Sequence, residues 1–326
     1  MNKIDVFDVQ NIEALNNIKI TDSNDIVVAH FALGIELFIS SSEDVSKSQL
    51  YNNLLGCVEG YYNDFKDKLN YYALSNSDRY IKIRDNSVAK WRNIISKANN
   101  ENGMDMTAFY DNTDEGDWVN ACPWHIHFIG EGTRSEDLSS ISGFIPVCDE
   151  NNVSNFSKIL DIAVQWCEKL KPAHGSAGFC FTYNDISQDT KHTWSILQRF
   201  PGIDQKDDMA FSLIAGERHD RIKGIDWITI LGEPLVAALG GVDNIRAQLT
   251  SECQIINYNG GIIIVAGASP QLGDIWEGKI PERYREVSKL TKSIRLEDYE
   301  DEFLNVSDDE YIDNMEISSK WFHRFD

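Results

Sequence analysis

The sequence predicts an α+β fold in which mixed, largely antiparallel sheets carry packed helices. Three observations predict it: residues 26–39 alternate in polarity along their whole length, residues 153–170 carry one apolar stripe, and the apolar runs 255–258 and 262–266 are joined by Asn259-Gly260-Gly261. Alternation marks a strand, and a three-to-four spacing marks a helix. A glycine-rich link, where positive φ costs little, favours a tight antiparallel hairpin. Strands and helices then follow one another without the regular βαβ alternation of a parallel sheet.

In chain order, residues 1–25 read as a weakly patterned arm able to add an edge strand. The strand at 26–39 puts Val27, Ala29, Phe31, Leu33, Ile35, Leu37 and Ile39 on one face and His30, Gly34 and Glu36 on the other. Ser41 and Asp44 are spaced as a capping box for a helix bearing Tyr51, Leu54, Leu55, Val58, Tyr62, Phe65 and Leu69. Residues 71–74 and 80–83 suggest a hairpin, and 88–98 a helix. Residues 104–110 and 118–129 read as strands around an acidic turn, and 143–147 continues the sheet. The 153–170 helix shows Phe156, Ile159, Leu160, Ala163, Cys167 and Leu170 on its stripe, and Pro172 and Gly175 end it before a buried strand at 177–183. This helix-then-strand order also occurs at 46–83, a hint of two related halves. A short helix is expected around Trp194 and Ile196, and a strand at 209–214. Residues 222–275 are expected to be the main core segment: a strand at 224–231, a break at Gly232-Glu233-Pro234 that opens a helix, then the hairpin. A last helix is expected over 281–290. The expected organisation is an arm (1–25), one α+β domain (26–298) divisible into subdomains near residue 150, and an acidic tail (299–326).

Composition bounds the function. With 30 Lys and Arg against 52 Asp and Glu, the net charge is −22, which opposes binding to nucleic acid or anionic lipid and favours a basic partner. The six cysteines show no C-x-x-C spacing, as expected of thiols in a reducing compartment. The first residues lack an apolar signal region and no segment is long and apolar enough to span a bilayer, so the expected location is the cytoplasm.

Candidate chemistry is sparse. His125 and His127 share one side of a strand and could ligate zinc, with Cys122, Asp117 or His174 as the third ligand; such pairs are more often hydrogen-bonded structural residues. Gly175-Ser176-Ala177-Gly178 is no nucleophile elbow, because His174 stands where glycine is needed and a helix runs into a strand. Residues 267–273 lack the Gly-Lys-Ser/Thr of a phosphate loop, and Pro270 removes an amide. No catalytic set, cofactor site or metal site is assigned. Asp111, Asp114, Glu115 and Asp117 load one turn with carboxylates, and Glu297, Asp298, Glu300 and Asp301 begin a run without Lys or Arg. These acids are the candidate contacts for a basic protein.

Several motifs together resemble a known family: Cys122-Pro123-Trp124-His125-Ile126-His127-Phe128, Lys171-Pro172-Ala173-His174-Gly175-Ser176-Ala177-Gly178-Phe179, Arg199-Phe200-Pro201-Gly202-Ile203-Asp204, Ile222-Lys223-Gly224-Ile225-Asp226-Trp227, Leu231-Gly232-Glu233-Pro234-Leu235, and Gly260-Gly261 leading into Ile262-Ile263-Ile264-Val265-Ala266-Gly267. The chain resembles the type VI secretion immunity proteins from about residue 26 to 298, with the acidic tail outside. The resemblance implies an antitoxin that binds and inhibits a cognate secreted effector, commonly a nuclease of VRR-Nuc or other restriction-endonuclease-like fold. It brings no catalytic residues. Two other readings stand beside it: a metal-dependent enzyme built on His125 and His127, and an immunity protein against a non-nuclease cytoplasmic toxin.

Overall fold

A computed structural model describes residues 11–40, 45–75, 79–97, 103–113, 116–131, 138–184, 190–216, 218–297, 302–307, 309 and 311–326. Its strands are β1 (Lys19–Thr21), β2 (Val27–Ile39), β3 (Tyr71–Leu74), β4 (Ile81–Lys82), β5 (Met104–Phe109), β6 (His125–Gly130), β7 (Ser139–Ile145), β8 (His174–Tyr183), β9 (Ile203–Asp204), β10 (Ile228–Gly232), β11 (Cys253–Tyr258) and β12 (Gly261–Ala266). Its helices are α1 (Ile12–Asn16), α2 (Lys47–Asp64), α3 (Ser87–Ile95), α4 (Phe156–Leu170), α5 (Trp194–Arg199), α6 (Asp208–Ala215), α7 (Glu233–Ala238), α8 (Val242–Gln248), α9 (Glu282–Thr291) and α10 (Asn314–Phe322).

All twelve strands join one sheet of order β11-β12-β10-β8-β2-β7-β6-β5-β3-β4, with β1 paired to β2 and β9 to β8. Every pairing is antiparallel except β8–β9. The α+β class is therefore as the sequence indicates. The centre lies elsewhere than expected: β2 and β8 pair over ten residue positions in the middle, whereas the hairpin β11–β12 from the 222–275 segment forms one side of the sheet. The sheet is also continuous across residue 150, since β2 holds β7 on one flank and β8 on the other. Helix α4 leads into central β8, while α2 leads into β3 near an edge, so the recurring helix-then-strand order occupies different places in the sheet.

Both faces of β2 are buried. Ile35 and Leu37 belong to the main core, which includes Ile126, Phe128 and Ile141 from the neighbouring strands. Here α2 and α4 cover the sheet: Gly130 admits the Tyr51 ring, and Gly143 admits Trp166. The other face, with the polar members of the alternation, holds Glu36 fully buried and His30 nearly so. It is covered by α6 and by the chain after residue 295. Phe38, Phe211, Leu296, Phe303, Leu304, Trp321 and Phe322 make a second apolar cluster there.

That cluster accounts for one departure from expectation and for the docking of the acidic segment. Residues 209–214 form helix α6 rather than a strand: Asp207 caps it by accepting from the Ala210 amide at 2.9 Å, and Phe211, Ser212 and Ala215 face inward while Met209 and Leu213 face out. The acidic segment after 298 is docked through part of its described length. Asp313 caps α10, and Trp321, Phe322 and Phe325 are buried. Leu304 is buried as well, while Tyr311 and Ile312 stay exposed. The capping box proposed for Ser41 and Asp44 lies outside the described residues, and Ser46 caps α2 instead. All six cysteines are free thiols, four of them buried.

Close approach of the layers is set by glycine. A Cβ on Gly178 of β8 would lie 2.1 Å from Asp226 Oδ1, a carboxylate that is itself buried. Gly178→Ala should therefore lower the unfolding free energy by about 1–3 kcal/mol, the range for an overpacked core. Urea denaturation measures it; an unchanged midpoint would show that Asp226 is free to move.

Candidate functional site

The pleat of the sheet lines up polar residues on one face. Thr107, His127, Ser142, Glu36, Ser176 and Thr229 stand opposite one another across β5, β6, β7, β2, β8 and β10. A one-residue slip of any of these strands would turn its polar member into the apolar core, so this row also specifies the register. Two constructions rest on it: a buried charge cluster over the middle of the sheet and a cavity beside it.

The charge cluster joins residues far apart in sequence. Lys206 Nζ, wholly buried, lies 2.6 Å from Asp204 Oδ2, 3.1 Å from Asp226 Oδ2 and 3.7 Å from Glu36 Oε1, and donates to Ser176 Oγ at 2.6 Å. Lys223 Nζ bonds Glu36 Oε1, lies 3.2 Å from Asp204 and donates to the Gln205 carbonyl at 2.7 Å. Arg324 reaches Asp204 Oδ1 at 3.0 Å and the Pro201 carbonyl at 2.9 Å, with its guanidinium 3.8 Å from the centre of the Trp321 ring. Three cations thus balance Glu36, Asp204 and Asp226. Burial raises the Glu36 carboxyl above its ordinary value, against the pull of both lysines, and one of its oxygens has no partner among the described residues. Burial also opposes charge on Asp204, but Lys206, Lys223 and Arg324 outweigh it and hold that carboxyl well below the usual range. The three motifs containing Ser176, Asp204, and Lys223 with Asp226 meet here, which explains their wide spacing: each supplies part of a single buried assembly.

The cavity, of about 200 Å³, lies between β5, β6, β7, the end of β8 and the start of α6. Its walls include Tyr80, Trp118, Phe144, Phe181 and Tyr183, and among its polar groups are Asp105, Asp207, Asp208, His125 and His127. Trp118 adopts φ +46°, an unfavourable conformation for so large a residue, and its ring stacks on Phe109 at 4.6 Å and meets His125 edge-on at 4.6 Å. Tyr183 is fixed by Thr193 and Gln205, each at 2.8 Å.

The histidines have separate duties. His125 Nε2 is 3.0 Å from Thr107 Oγ1, and burial pushes its pKa down to about 3, so the ring is neutral. His127 Nδ1 lies 3.4 Å from Asp208 Oδ2, and that carboxylate also accepts from Ser140 at 2.6 Å and Ser142 at 3.0 Å. Burial disfavours the charged imidazole, yet Asp208 outweighs it and raises the pKa of His127. Two of the three suggested third ligands are engaged elsewhere: Cys122 Sγ donates to the Trp124 carbonyl at 3.3 Å, and the His174 ring lies against Phe38 and Phe211. Among the described residues, no three of His, Cys, Asp or Glu are grouped to hold a metal ion.

The candidate acids fare differently. Asp111 is buried, and its carboxylate accepts from the Thr113 amide and hydroxyl and from the Gly116 amide, so it shapes its own turn. Asp117 is exposed, next to the buried Trp118. Glu297 is exposed and accepts from Arg295 at 2.9 Å and from His323 at 2.6 Å. Asp114, Glu115, Asp298, Glu300 and Asp301 lie outside the described residues. Sequence reading missed Lys206, Asp208 and Arg324; the run Lys206-Asp207-Asp208 was a signal, one residue beyond the motif that ends at Asp204.

Two measurements test this arrangement. Lys206→Met leaves three buried carboxylates short of a cation and should cost about 3–5 kcal/mol in urea denaturation; a loss below 1 kcal/mol would mean the cluster is solvated. For His174, burial, with smaller contributions from Lys223 and His219, lowers the pKa to about 3. The unfolded ring, near 6.5, takes up a proton that the folded one refuses, so its contribution is whole above about pH 6.5 and is lost as pH falls. Relative to His174→Phe, the wild type should lose about 1.4 kcal/mol per pH unit between pH 6 and 4. A flat difference curve would place the imidazole in water.

Comparison with known proteins follows the same lines. No curated protein matches the chain. Its fold is similar to that of the Pseudomonas aeruginosa T6SS protein PA0821, with a TM-score of 0.79 at 19% identity over 97% of this chain and 89% of that one. Among the described residues, no helix is long and apolar enough to cross a membrane. A family profile described as TsiV, type VI immunity for VRR-NUC, matches residues 53–325. The match runs through the acidic segment that the resemblance was expected to leave out, in keeping with the burial of Trp321 and Arg324. The chain belongs to the TsiV family of type VI immunity proteins.

Proposed function

We propose that this chain is an antitoxin that binds a cognate VRR-Nuc effector and inhibits it by covering its basic DNA-binding or catalytic face. The observation that carries the reading is the family match over residues 53–325. Charge supports it. A nuclease grips phosphates with Lys and Arg, and a chain of net charge −22 attracts such a surface over a longer range than any contact. The work is done in the cytoplasm, where the nucleic acid is, and by binding rather than by catalysis. The imidazoles of His125 and His127 are already engaged by Thr107 and Asp208, and an inhibitor needs neither of them as a ligand.

The acidic turn is proposed as part of the approach surface, with Asp117 and the neighbouring Asp114 and Glu115 as its charges; Glu297, Asp298, Glu300 and Asp301 form a second acidic stretch of the same kind. Neutralising Asp114, Glu115 and Asp117 together should slow association and flatten its dependence on salt. Identical kinetics across a salt titration would remove that turn from the interface.

The decisive test pairs the purified chain with the product of its neighbouring gene. Tight, salt-sensitive binding and loss of DNA cleavage at equimolar chain are expected. Cleavage that continues with the chain in excess would refute nuclease inhibition, and absence of binding would refute the antitoxin reading altogether.

A further inference from the structure

The cavity beside the charge cluster has walls that suit one kind of occupant. At about 200 Å³ it is smaller than the clefts of roughly 300–1,000 Å³ that enclose cofactors and drug-sized ligands. It is large enough for a single long side chain. Trp118, Tyr80 and Phe144 offer ring faces and edges, while Asp105, Asp207 and Asp208 offer carboxylates. The cations nearby do not cancel those acids: Lys206 is turned into the buried cluster, and His125 is neutral. His127 pairs with Asp208 at 3.4 Å and is attracted more weakly by Asp105 and Asp207, so one imidazolium faces three acids.

Planar aromatic walls together with carboxylates are complementary to a guanidinium, which stacks on rings through its faces and bonds carboxylates through its edge. The surroundings fit a protein as the source of that group. Met209 lines the cavity and Leu213 follows one helical turn later, both on the outer face of α6, with Leu213 62% exposed. A desolvated pocket for an arginine, flanked by apolar surface, is the usual anatomy of an interface hot spot. Trp118 is held in place by its stacking on Phe109 despite a positive φ, so this wall exists before any partner arrives.

We propose that this cavity receives an arginine side chain of the protein that the chain binds. The inference rests on the antitoxin reading and adds where, and by which chemistry, the basic partner is anchored.

Two arms test it with the full-length protein. In the first, N-acetyl-arginine methylamide is titrated against the chain while the ring signals of His125 and His127 are followed by NMR, with the uncharged citrulline analogue as control. Roughly millimolar binding of the arginine compound alone is expected of one unlinked side chain. Equal shifts from both compounds, or none from either, would overturn the proposal. In the second, affinity for the effector encoded beside the chain is measured for Thr107→Phe, which fills the cavity, for Asp105→Asn, and for Asp161→Asn on α4 across the sheet. Thr107→Phe should weaken binding about 30-fold, the scale of a hot-spot loss, and Asp105→Asn several-fold, with Asp161→Asn unchanged. Affinities within twofold of wild type for folded Thr107→Phe and for Asp105→Asn would overturn the proposal. Should Thr107→Phe fail to fold, Asp105→Asn decides the second arm. If the wild-type chain binds no effector, the antitoxin reading fails, and arginine-selective shifts in the first arm would still establish the cavity's preference.

Discussion

The structure depends on six charges held out of water. Glu36, Asp204 and Asp226 face Lys206, Lys223 and Arg324 on one side of the central strands. Each ion alone would cost several kcal/mol to bury, and only the complete set repays that cost through mutual attraction and hydrogen bonds. The consequence is cooperative. The segment around 204–208, the approach to β10 and the last residues of the described chain each lie on the sheet because the others do. A chain with one member missing has no cheaper partial arrangement, since the remaining charges are left buried without their balance.

Much of the fold was legible because it is written in local patterns. The hairpin β11–β12 followed from Asn259-Gly260-Gly261, α4 from its single stripe and α7 from Gly232-Glu233-Pro234. The centre of the sheet was not legible, because the 222–275 segment and the β2–β8 pair are comparably apolar and only long-range pairing ranks them. Helix α6 was read as a strand because Met209–Ile214 is a short apolar run, which periodicity alone does not assign; Asp207 as a helix cap was the overlooked signal. What covers the polar face of β2 was not legible, because alternation reports two unlike faces, and a charge cluster satisfies that pattern as well as water does.

Of the candidate site, sequence supplied the members and not the meeting. His125 and His127 stood out as a pair, yet their partners differ: one ring is neutral against Thr107, the other is tied to Asp208. Asp111 looked like its acidic neighbours, and its burial beneath its own turn depends on how that turn folds. The division between surface field and cavity follows from distance. A charge of −22 acts over the Debye length, about 8–10 Å at ordinary salt, and is indifferent to which basic protein approaches. Discrimination needs a place where charge and shape are read together without water, and shaped walls beside carboxylates provide one.

The burial of Lys206 carries a chemical consequence. An amine that does not meet water does not meet a water-borne acylating reagent either, and an ammonium held by three carboxylates lacks the lone pair such a reagent requires. Lys206 therefore reacts only during excursions that lift its covering segments from the sheet. Its labelling rate, compared with that of an exposed lysine such as Lys292, reports how often the second face opens. A wholly buried amine is thus a built-in clock for the protein's least local motion.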